Sequence, residues 1–164
     1  LVAAVVLGTG IAVDQLSKHW ADAELRLAGI VTVVPHVLDL RYARYAGAFF
    51  SLGAGLGPTA GRLALTLASA LALVMIGVMY ARASAAQQRL RWALVFLASG
   101  AVGNLIDRVR TGQVTDFLHL HAGALLHWAT FNVADILITL GLVLLSWDLL
   151  RPQVPAAHIT EGAR

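Results

Sequence analysis

Residues 63–80, LALTLASALALVMIGVMY, decide the fold class. The run contains no charged side chain, and as a helix rising ~1.5 Å per residue it nearly crosses the ~30 Å hydrocarbon core of a bilayer. Working outward from it, residues 131–147 form a second apolar stretch with a single charge, Asp135. Residues 92–106 form a third, closed by Asp107 and Arg108, and residues 1–13 a fourth, running into Asp14-Gln15-Leu16-Ser17-Lys18. Of the 164 residues 59% are hydrophobic and 13% charged, where a soluble domain carries about 25% charged residues. The expectation is an all-α membrane protein with four transmembrane helices, near 1–20, 63–80, 92–106 and 131–148. They would form one membrane-embedded domain over 1–151, followed by a flexible tail over 152–164.

Between the first two runs, residues 30–34 and 37–45 are rich in β-branched and aromatic side chains and are broken by Pro35. They read as short strands outside the hydrocarbon, so a small β-rich extracytoplasmic subdomain is expected over 25–52. Ala21-Asp22-Ala23 has the small-x-small form of a leader cleavage site, and the first run could instead be a signal peptide. The net charge of +3 and pI near 10.0 raise a nucleic-acid partner. The twelve Lys and Arg residues, however, are scattered along loops and span ends, and without a basic stripe no nucleic acid is expected. The absence of cysteine excludes disulfides, thiolate metal sites and a cysteine nucleophile together.

Parity organises the polar residues. With four spans, the first ends, the third ends and the fourth begins on the same face, so Asp14, Asn104, Asp107, Arg108, Asp116, Asn132 and Asp135 are expected to converge. The short connector carrying Arg82, Arg89 and Arg91 reads as cytoplasmic by the positive-inside rule, which puts the polar cluster toward the outer leaflet.

An ionisable residue within a span costs about 2.5–3.5 kcal/mol on insertion scales and marks a functional site by default. Asp135 is such a residue, and its neighbours at helical spacing supply no cation; burial there is expected to favour its holding a proton. Asp116 follows in Val114-Thr115-Asp116-Phe117. Two adjacent carboxylates share one proton, so that one activates water while the other polarises a carbonyl. The blander alternative makes each a helix cap or half of an ion pair. Asn104 and Arg108, one turn apart, could grip substrate carbonyls, or Arg108 could pair with Asp107 or Asp116. Asp14 and Lys18, at i, i+4, read as a structural ion pair. His119, His121 and His127 lie in the loop between the aspartates. No third ligand stands at recognisable spacing and no H-E-x-x-H helix occurs, so no metal is expected. Gly-x-Ser-x-Gly is likewise missing.

Four motifs occur in one order: Asp14-Gln15-Leu16-Ser17-Lys18, Gly103-Asn104-Leu105-Ile106-Asp107-Arg108, Val114-Thr115-Asp116-Phe117 and Phe131-Asn132-Val133-Ala134-Asp135. In these the chain resembles lipoprotein signal peptidase, the type II signal peptidase of bacteria, over nearly its whole length. The resemblance implies a multi-pass enzyme of the bacterial cytoplasmic membrane with its site at the outer face. It would cleave diacylated prolipoproteins on the N-terminal side of the diacylglyceryl-modified cysteine, without metal or organic cofactor. Carried over, Asp116 and Asp135 are the catalytic dyad, and Asn104, Arg108 and Asn132 support it and position substrate. Asp14 and Lys18 are structural, and Gly100 and Gly103 permit close helix approach. Membrane lipid and cyclic-peptide antibiotics are the other implied partners.

The family usually reads Asn-x-Gly-x-Ala-Phe-Ser where this chain has Tyr45-Ala46-Gly47-Ala48-Phe49-Phe50-Ser51. The implied substrate-binding Asn is thus Tyr45, beside Gly47, and a phenol there is expected to reshape the cleft or weaken inhibitor binding. Two rival readings are a small ion or proton transporter whose aspartates carry ions, and an inactive paralogue that binds lipoproteins or antibiotics.

Overall fold

The computed structural model describes residues 1–45, 57–123 and 126–150. The expected tail and Gly47 lie outside them. In chain order the elements are α1 (Val2–Trp20), a π-helical turn (Ala21–Leu25), α2 (Arg26–Ala28), β1 (Ile30–Val34) and β2 (Leu38–Tyr45). There follow α3 (Gly57–Arg82), α4 (Gln88–Thr111), β3 (Val114–Ala122), β4 (Leu126–His127) and α5 (Val133–Leu150).

The four apolar runs fall in α1, α3, α4 and α5. By length and composition two helices can cross a membrane, Thr59–Arg82 with mean hydropathy 2.2 and Gln88–Thr111 with 1.3, while Val133–Trp147 is a shorter apolar helix. α4 is the central element, packing against α5, α3 and α1. α3 packs chiefly against α4 and turns Leu63, Leu67, Leu71 and Val74 outward. Apolar tails compete equally well for such side chains, so helix association in lipid relies on small residues that let backbones approach. Gly100 of α4 sits directly on the carbonyl of Ala134, and Gly103 on the carboxylate of Asp14; neither position has room for a Cβ. α4 ends at Gly112, whose φ of 70° is the left-handed cap conformation that glycine adopts without strain, its N–H donating to the Arg108 carbonyl at 2.9 Å.

The sheet is antiparallel in the order β1-β2-β3-β4. The two expected strands are present, and β3 and β4 add two more where the sequence indicates a loop. Residues 114–127 hide a strand because an aspartate and three histidines interrupt the apolar alternation on which strand recognition depends. β3 returns after the α3–α4 hairpin to pair with β2, setting Asp116 opposite Ala43, with a register shift between Leu40 and Ala43. Just beyond, the N–H groups of Phe117 and Leu118 both donate to the Phe131 carbonyl, at 3.1 and 2.9 Å, which ties β3 to the residue that precedes α5's cap. Beneath the sheet Ala21, Leu25 and Phe117 form a core with Leu40, Tyr42, Leu118 and Val133. Ala21 is fully buried there, so the small-x-small triplet belongs to a folded turn that continues α1.

Candidate active site

The ends of α1 and α4, the start of α5 and the start of β3 meet at one place, as parity requires. Lys18 is its cationic centre. Its ammonium donates to Asp14 at 2.9 Å, Asp107 at 3.0 Å and the Asn104 Oδ1 at 2.9 Å, and it is 4% exposed. All three N–H groups are therefore used, which is how a charge of this kind is held away from water. Asp14, fully buried, also accepts the N–H of Ala134 at 2.8 Å. One carboxylate thus joins α1 to the positive end of α5, where the unpaired N–H groups of a helix favour an anion.

Asn132 caps α5. Its Oδ1 accepts the N–H of Asp135 at 3.0 Å, and its own N–H donates to the Asp135 Oδ2 at 3.1 Å. This reciprocal pair is a capping box with Asn and Asp in the two roles. The Asn132 side-chain amide then donates to the Asp116 Oδ1 at 2.6 Å, and more weakly toward the Asn104 Oδ1 at 3.2 Å and the Thr115 carbonyl at 3.3 Å. Asn104 donates to the Asp135 Oδ1 at 2.9 Å. Asp116 and Asp135, nineteen residues apart in sequence, are so bridged by one asparagine.

The Asp116 carboxyl is buried, and that burial, followed by the neighbouring charges of Asp135 and, more weakly, Asp107, pushes its pKa up to about 7 against the opposing Asn132 hydrogen bond and the Lys18 charge. Both Asp135 oxygens accept N–H donors, whereas Asp116 accepts the Asn132 amide at Oδ1. Arg108 donates to the Asn104 carbonyl at 3.3 Å and lies within electrostatic reach of Asp135, Asp107 and Asp116. Among the described residues it forms no direct ion pair, so the salt-bridge alternative for this side chain is not what the geometry holds. Tyr45, about half exposed, stands across from Val114 at the end of β2, on the same side of the sheet as the Ala43–Asp116 pair.

Two contributors carried no assigned role in the motif reading. The Gln15 amide donates to Asp14, the Gly103 carbonyl and Asp107, each at 3.1 Å, and the Thr115 N–H donates to Asp107 at 3.2 Å. Gln15 stands inside the first motif; its contact with α4 is long-range and leaves no local trace in sequence. The three histidines gather apart from this site. His119 Nε2 and His127 Nδ1 lie 3.2 Å apart with ring centroids at 5.5 Å, an edge-to-edge hydrogen bond, and His121 reaches Asp39 at 3.2 Å. Among the described residues no His, Cys, Asp and Glu side chains converge on a metal position.

The model of the signal peptidase (SPase) II family matches residues 6–151. The lipoprotein signal peptidase of Desulforapulum autotrophicum is 37% identical over 145 residues, 88% of this chain and 89% of its own. That of Geobacter sulfurreducens is 38% identical over 151 residues, 92% and 91%. A bacterial membrane enzyme solved by the in meso method at 1.9 Å superposes with a TM-score of 0.78 at 25% identity, covering 93% of this chain and 94% of that one. With the motifs of all four elements at one site and the family match running from α1 through α5, the chain belongs to the signal peptidase II family.

Proposed function

We propose that Asp116 and Asp135 are the catalytic dyad with which this peptidase removes signal peptides from prolipoproteins. The observation that carries the assignment is the Asn132 bridge, which bonds one aspartate through its side chain and the other through its backbone. In this reading α1, α3, α4 and α5 are four spans of one domain over 1–151, and the sheet is extracytoplasmic. The dyad sits where a lipid-anchored peptide enters sideways from the outer leaflet of the cytoplasmic membrane. Cleavage falls on the N-terminal side of the diacylglyceryl cysteine. Asn104 and Asn132 hold the carboxylates, and Arg108, free of an ion pair among the described residues, is the donor available to a substrate carbonyl. Membrane lipid surrounds the spans, and cyclic-peptide antibiotics compete for the cleft.

The test is cleavage of a diacylated prolipoprotein by the purified protein, beside the same substrate without lipid and with Asp116→Asn and Asp135→Asn. Each variant is expected to lose roughly 10²–10⁴-fold in kcat/KM, in line with losing a proton-transfer group. Normal cutting by both would remove the dyad from the mechanism. Tyr45 borders the substrate cleft in this reading. Tyr45→Asn is expected to change KM and the inhibition constant for a cyclic peptide at similar kcat, and unchanged values would place Tyr45 outside the cleft.

A further inference from the structure

The two aspartates are held unequally. Asp135 accepts a donor at each oxygen, Asn104 at Oδ1 and the Asn132 N–H at Oδ2. Asp116 accepts at Oδ1 from Asn132, and among the described residues no donor reaches its Oδ2.

The direction of both asparagine amides follows from chemistry. An ammonium only donates, so the oxygen end of Asn104 faces Lys18 and its NH₂ end faces Asp135. A backbone N–H also only donates, so the oxygen of Asn132 faces the Asp135 N–H and its NH₂ end faces Asp116. A carboxylate with donors on both oxygens is stabilised as an acceptor, and adding a proton there would set O–H against N–H. At Asp116 Oδ2 a proton meets no such conflict.

We propose that Lys18, acting through Asn104, sets the polarity of the dyad, making Asp135 the charged base and leaving the acidic proton on Asp116 Oδ2. The inference rests on the dyad reading above and deepens it. Asp135 takes one proton from a water as the water oxygen bonds to the scissile carbonyl carbon. The Asp116 proton passes to the carbonyl oxygen, giving a neutral gem-diol. Collapse returns a hydroxyl proton to Asp116, breaks the C–N bond and moves the proton on Asp135 to the departing amine. The products are an acid and an amine, and both aspartates end as they began. Lys18 touches no reacting atom; it is a positioning residue.

Two measurements test this. In infrared pH titrations of the purified protein, the band of the buried protonated carboxyl on the acid side of neutrality is expected to vanish in Asp116→Asn and survive in Asp135→Asn. The reverse pattern overturns the proposal. In pH profiles of kcat/KM, Lys18→Met is expected to move the acid limb up by about one pH unit, because Asn104 is then free to turn its oxygen toward Asp135. Lys18→Arg is expected to restore the limb. Asn104→Leu, which keeps the lysine charge, is expected to move it as Lys18→Met does. A profile lowered in height but unmoved in Lys18→Met, or an unmoved limb in Asn104→Leu, leaves the lysine with packing or bare charge alone and also overturns the proposal. Full activity in both aspartate variants is a different result, sinking the dyad itself.

Discussion

At the scale of single residues, the proposed dyad has Asp116 tie stability and activity to the same proton. Its pKa rises from 3.8 in the unfolded chain to about 7 in the fold, so the folded state holds a proton across that window that the unfolded state has released. Stability from this group is full below the unfolded value and declines as pH rises toward 7, because the folded chain binds the extra proton there. Above about 7 the site carries a second buried negative charge beside Asp135. The expected outcome is an alkaline limb of kcat/KM centred near 7, reporting the pair rather than either residue. Asp116→Asn copies the shape of the neutral acid and cannot acquire that charge. It is expected to be inactive, yet at least as resistant to thermal unfolding as the parent above pH 7. A lower melting temperature there, measured at matched detergent, would mean the carboxylate is better solvated than its burial indicates. Much at this scale was legible in sequence: Asp116, Asp135, Asn104, Asn132 and Lys18 all stand in motifs and all reach one site. Which aspartate favours the proton was not legible, since that depends on donors arriving from α4 and from α5's own cap. The apolar run around Asp135 suggests a deeply buried carboxyl, whereas in the fold Asp135 is only partly buried.

At the scale of elements, the site is a junction, and its tolerance depends on how closely α4 passes the others. Gly103 places the α4 backbone against the Asp14 carboxylate, the same group that receives the Ala134 N–H and pairs with Lys18. A methyl there must displace Asp14 or push the helices apart, an overpacking that costs about 1–3 kcal/mol. Gly103→Ala is expected to lower kcat/KM tenfold or more with little change in the helix content seen by circular dichroism. Wild-type activity would show that Asp14 shifts freely and that its bond to α5 is dispensable. The helices themselves were readable because lipid-facing stretches need no alternation and announce themselves by length. β1 and β2 were readable from β-branched runs beside Pro35. β3 was not, because Asp116, His119 and His121 occupy positions where a strand signal expects apolar or neutral residues, and its partner β2 lies on the far side of two long helices. Burial and the nearby Arg41 hold the His119 imidazole below its usual range, so this strand position favours the neutral ring that its edge-on contact with His127 uses.

At the scale of the whole molecule, what remains is the direction in which the fold sits in the membrane. α3 and α4 form an antiparallel hairpin whose short connector is fastened at one end: Arg91 lies over the Tyr80 ring at 4.4 Å and donates to the Tyr80 hydroxyl and the Ala83 carbonyl, each at 3.0 Å. Arg82 and Arg89 flank it, and Lys or Arg in so short a connector favours the cytoplasmic side. The sheet and the dyad lie at the opposite end of both helices, because β2 ends before α3 begins and β3 starts after α4 ends. The two ends therefore face opposite compartments if the hairpin spans the bilayer, and the positive connector selects which is which. The chain has no cysteine, so single cysteines report position without a background. Ala86→Cys in the exposed connector is expected to resist a membrane-impermeant maleimide in intact spheroplasts and to react once they are opened. Pro35→Cys, in the exposed β1–β2 turn, is expected to react from outside. Exchange of the two labelling patterns would put the dyad in the cytoplasm, where a signal peptide emerging from translocation could not meet it. Labelling of both from outside would mean the hairpin does not span at all. Only the first pattern is compatible with an Asp116–Asp135 pair that receives its substrate laterally, from the leaflet in which the diacylglyceryl anchor resides.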